Sequence, residues 1–101
     1  MFSAAWSGPM LLIAAAESGN TATVAALLEA EADAGFACQG NGRTALTMAA
    51  QGGFTATVSA LLEAKADPAI PQTDGEPALM VAARGGHTGA VAALLHAKAD
   101  P

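Results

Sequence analysis

The chain has 101 residues, enough for one domain, and 28 of its 53 hydrophobic residues are Ala, against only 19 Leu, Ile, Val or Phe. Four Lys/Arg against nine Asp/Glu give a net charge of -5, which leaves no basic footprint for nucleic acid or for an anionic membrane. The single cysteine, Cys38, excludes an internal disulfide and makes a reducing intracellular compartment the default, the cytoplasm ahead of the nucleus.

So few large apolar residues would leave a highly charged chain unfolded, and here they predict a thin core in which backbones approach through alanine. In chain order, Phe2 and Trp6 precede a short apolar stretch, Met10 to Ala16, with no Lys or Arg before it, so it reads as fold and not as a signal peptide. The uncharged run Thr44 to Leu62 is long enough to span a bilayer. It carries four Thr, Ser59, Gln51 and the Gly52-Gly53 pair, which excludes a transmembrane helix and any membrane insertion.

The dominant signal is internal repetition. Residues 42–68 and 75–101 match without a gap at 17 of 27 positions, and residues 8–34 align with both, the one extra residue falling between Asp33 and Gly42. In the second segment Leu46, Ala49 and Ala50 share one helical face, Gly52-Gly53 breaks the helix, and Val58, Leu61 and Leu62 repeat the spacing. Each unit therefore predicts a short helix, a glycine turn and a second helix. Thr44 is placed to cap the first of these in unit two, and Pro9 and Pro77 stand at helix starts, where a missing N–H does no harm. Ala34 to Asn41 and Pro68 to Asp74 are the connecting loops. The whole chain, 1–101, reads as a single domain of three repeats: 8–38, 39–71 and 72–101, the last truncated at its end.

This pattern resembles the ankyrin repeat. Its carriers in unit two are Gly42, Thr44, Leu46, Ala49, Ala50, Gly53, Val58, Leu61, Leu62, Ala66 and Asp67, with the corresponding residues in the other units. The tetratricopeptide repeat, with short turns and a Trp/Tyr signature, fits worse, because the chain has no Tyr and one Trp outside the units. The resemblance implies an all-α solenoid of three helix-turn-helix units joined by hairpin-like loops. Three departures stand out. The family's Pro is replaced by Leu11, Ala45 and Ala78, its His by Ile13, Thr47 and Met80, and the glycine ending the second helix by Glu31, Lys65 and Lys98. The Thr–His hydrogen bonds of the family then cannot form in full. A non-Gly residue kept left-handed costs about 1 kcal/mol, so a marginally stable array is expected.

No catalytic residue, metal site or cofactor site is expected. His87 stands at the family's Gly-His turn, His96 lies on an outer helix, Cys38 has no His near it in sequence, and the glycine pairs lack the setting of a phosphate loop. Glu29, Glu31, Asp33, Glu63, Asp67 and Asp100 read as a solvated face at the second-helix ends, most negative in unit one.

Binding of a protein partner is the stronger expectation. The units differ at the loop tips Ser7, Asn41 and Asp74, and at two first-helix rows: Pro9, Arg43 and Glu76, then Glu17, Gln51 and Arg84. In the family these slots commonly contact partners, through loop tips and the concave inner-helix face. Phe2 and Trp6 would fold over unit one, while unit three would expose apolar surface and self-associate, unless the chain is a piece of a longer array. Two other functions compete: a targeting or regulatory ankyrin fragment of a larger enzyme, kinase or channel, and an idle structural array without a specific partner. The identity of the partner is outside what this pattern encodes.

Overall fold

The structure, a computed structural model, describes residues 8–30, 32–37 and 41–99, with side chains from 10 to 97. The expectations placed on Phe2, Trp6, Ser7, Glu31, Cys38 and Asp100, and on the side chain of Pro9, fall outside what it describes.

The described residues form six helices and no strand: α1 (Gly8–Glu17), α2 (Thr21–Glu29), α3 (Ala45–Gly52), α4 (Thr55–Glu63), α5 (Ala78–Arg84) and α6 (Thr88–Ala99). They pair as hairpins, α1 with α2, α3 with α4 and α5 with α6. Successive hairpins then stack, with α3 between α1 and α5 in one layer and α4 between α2 and α6 in the other. None of these helices is long and apolar enough to cross a membrane.

The hairpin turns form because glycine ends each first helix. Gly53 closes α3 in the left-handed conformation at φ 72°, and its N–H donates to the Ala49 and Ala50 carbonyls left open at the helix end. Gly19 and Gly86 hold the same conformation in the other units. At the start of α3, Thr44 Oγ1 accepts from the Thr47 N–H at 3.2 Å, while Thr47 Oγ1 accepts from the Thr44 N–H at 2.8 Å. Thr47 also donates to the Thr44 carbonyl at 3.0 Å. The expected loss of the family's Thr–His bonds is thus offset locally in unit two, where a second hydroxyl in the His slot closes a reciprocal box. In unit three the cap is Pro77, which makes no side-chain bond, and the slot holds Met80, 53 % exposed.

The core runs along the stack as Leu12, Leu46, Leu61 and Leu94 with Val24 and Val58, all buried. Each such side chain stabilises the fold by about 2 kcal/mol. Ala16, Ala49, Ala50 and Ala82 are fully buried between the helices. These alanines let neighbouring backbones approach, as the composition predicts. The row facing a following unit is Leu12, Ala16 and Val24 in unit one and Leu46, Ala50 and Val58 in unit two, all buried. In unit three its members are less covered: Leu79 and Val91 are half-buried and Ala83 is exposed.

The slots of the missing second-helix glycine behave differently from one another. Lys65 is left-handed at φ 71°, the strained state expected there. Lys98 instead lies inside α6, which runs on to Ala99. Residues 64–68 and 97–101 share the sequence Ala-Lys-Ala-Asp-Pro, so the reversal at Lys65 is not dictated locally. It is held by the buried Ala66, whose N–H donates to the Leu61 carbonyl at 3.0 Å.

Candidate functional site

The connecting loops are built from main-chain bonds. The Gly75 N–H donates to the Gln72 carbonyl at 2.8 Å and the Gln72 N–H to the Glu76 carbonyl at 2.9 Å. Together these close a tight hairpin with Gly75 left-handed at its corner. Asp74 Oδ1 braces the tip by accepting the Glu76 N–H at 3.0 Å, and Asn41 Oδ1 does the same for the Arg43 N–H at 2.9 Å. The two loops join edge to edge through the Thr73 N–H and the Asn41 carbonyl at 2.9 Å. Gly42 is required at this contact, because a Cβ there would stand 2.7 Å from the Thr73 nitrogen.

On the side where these loops meet the α1–α3–α5 layer, an open groove of about 220 Å³ lies between units two and three. Arg43, Gln51, Gln72, Asp74 and Arg84 line it, with Val81 and Gly85. Of the nine residues expected to contact a partner, Arg43, Gln51, Asp74 and Arg84 come together here. Glu76 joins them indirectly through an ion pair between its carboxylate and the Arg84 guanidinium. Asn41 is exposed one residue before Gly42, and Glu17 is exposed at the end of α1, away from the groove lining. Ser7 and the side chain of Pro9 lie outside the described residues.

Gln72 and Val81 line the groove without having been singled out by sequence. Gln72 occupies a loop whose unit-one counterpart is a residue out of register, and its side chain is largely buried, with Nε2 3.5 Å from Asp74 Oδ1. Val81 lies in the Met48 slot, off the face of Leu79, Ala82 and Ala83, and is nevertheless buried. Comparing the units alone gives no signal for either. Among the described residues no buried side-chain nitrogen or oxygen lacks a hydrogen-bond partner.

The two histidines take separate places. His87 Nε2 lies 3.0 Å from the Gln51 carbonyl, bridging units two and three. His96 is exposed on α6 and borders a shallow groove of about 390 Å³ on the other layer, with Ser59, Glu63 and Lys65. Among the described residues no group of three His, Cys, Asp or Glu is placed to hold a metal ion.

Comparison with known proteins agrees with the stack. The family profile described as "Ankyrin repeats (3 copies)" matches residues 11–101. Comparison with curated proteins gives no match. The chain belongs to the ankyrin-repeat family, whose members are generally protein–protein interaction modules and typically non-catalytic.

Proposed function

We propose that this ankyrin-repeat chain is a non-catalytic protein-binding module whose partner docks where the loop tips meet the α1–α3–α5 layer. The observation that carries the reading is the groove between units two and three, where four variable residues, Arg43, Gln51, Asp74 and Arg84, converge on one open surface. Charged and amide side chains set on a scaffold of main-chain bonds suit recognition, because the backbone that carries them is fixed before the partner arrives. Association then needs little backbone movement. A reducing intracellular setting, read from the lone Cys38, completes the proposal.

The test is a fourfold variant, Arg43→Ala, Gln51→Ala, Glu76→Ala and Arg84→Ala, compared with the unaltered chain. A partner captured by the chain and purified should lose binding to the variant while the thermal midpoint stays within a few degrees. Equal retention by both would overturn this docking surface.

A further inference from the structure

We infer that the groove takes one isolated carboxylate, carried by a segment of the protein partner, with Arg43 as its anchor. The inference rests on the protein-binding reading above and adds the chemistry of what is bound.

The chain has four cationic residues against nine acidic ones, and two of the four, Arg43 and Arg84, line this groove. Arg84 is engaged by Glu76. Among the described residues Arg43 makes no ion pair, so its planar fork of donors is free to meet a carboxylate with two parallel hydrogen bonds. Gln51, exposed near the end of α3, offers an amide donor and acceptor suited to the main chain on either side of that carboxylate.

The same groove disfavours a run of acids. Asp74 stands in its lining and Glu76 beside it, and the chain as a whole carries a charge of -5. A second carboxylate next to the first would meet like charge at close range. Phosphate-rich polymers are disfavoured for the same reason. What fits is a single Asp or Glu between uncharged residues.

The experiment pans a random-peptide display library on the intact chain, with Arg43→Gln as the counter-target. That variant alters a partly exposed side chain and should keep the parent's thermal midpoint. Clones kept by the parent and lost by the variant should share one Asp or Glu flanked by uncharged positions. For a labelled consensus peptide, exchanging its carboxylate for an amide and Arg43→Gln should each weaken binding by roughly tenfold. The two changes together should weaken it little further, the mark of a direct pair. Clones that depend on the groove but carry no shared carboxylate, or that carry acidic runs, would overturn this inference and leave the docking surface standing. Recovery of no clones, or of clones indifferent to the fourfold variant, would count against both.

Discussion

The two junctions of the stack use the same repeat positions and hold together by different chemistry. Where unit two meets unit one, the Phe54 ring covers the Gly19 turn, near enough that a Cβ at Gly19 would stand 2.7 Å from it. On the other layer Thr21 and the buried Thr57 join hydroxyls at 2.7 Å. Where unit three meets unit two, His87 takes the Phe54 slot. It lies over the Gly53 turn and reaches the Gln51 carbonyl. Ala90 takes the Thr57 slot and is buried, and a Cβ on the nearby Gly89 would stand 2.6 Å from Thr55 Oγ1. The first junction thus has an apolar lid and a polar tie between the second helices. The second has a polar lid and, between the second helices, close packing of small residues without a hydroxyl tie. One architecture accepts both, because each slot needs a flat ring over a glycine turn and a small group between helices, whichever side supplies the hydrogen bond.

The sharpest way to break both junctions at once is Leu61→Ala. Leu61 is fully buried in the hairpin they share, and its truncation should cost about 3 kcal/mol in urea unfolding. Amide exchange should then rise in units one and three alike. Next comes a pair of glycines. Gly53→Ala strains a left-handed turn and drives a methyl into the His87 ring, 2.5 Å from Nδ1, and should cost about 2 kcal/mol. Gly86→Ala carries the same strain with nothing within 4 Å, and should cost about 1 kcal/mol. Equal losses in the two melts would show that His87 adds nothing to its junction.

Thr57→Val keeps the shape and removes the tie to Thr21, and should cost about 1 kcal/mol. Its effect on exchange should concentrate in α2 and leave α6 unchanged. The smallest effect has opposite signs at two copies of one residue. Lys65→Gly relieves a left-handed φ of 71° and should stabilise by about 1 kcal/mol. Lys98→Gly falls inside a helix and should destabilise by some tenths of a kcal/mol. The same sign for both in thermal melts would refute the difference between the two helix ends.

The helices were legible because Leu46, Ala49 and Ala50, and then Val58, Leu61 and Leu62, mark two faces separated by glycine in every unit. The turn and the Thr44 cap followed from local chemistry. The reciprocal role of Thr47 did not, because its position read as the loss of a histidine and not as a gain of a hydroxyl. Arg43, Gln51, Asp74 and Arg84 could be picked as candidates because they vary while the core around them repeats. That they share a groove depends on how far one hairpin is turned against the next, which no single unit encodes. Gln72 was out of reach for the same reason. The contrast between Lys65 and Lys98 lay deeper still, since the same Ala-Lys-Ala triplet takes a turn at 64–66 and a helix at 97–99.

The bond between the Asn41 carbonyl and the Thr73 N–H bears on how such a surface can change over generations. Backbone atoms set the spacing of the two loops, and the side chain of Arg43 takes no part in that bond. Substitutions at Arg43 therefore leave the joint between the loops intact, whereas Gly42, pressed against a neighbouring main chain, has almost no freedom to drift. Adjacent positions thus tolerate change very differently, and side chains can vary beside an unaltered joint.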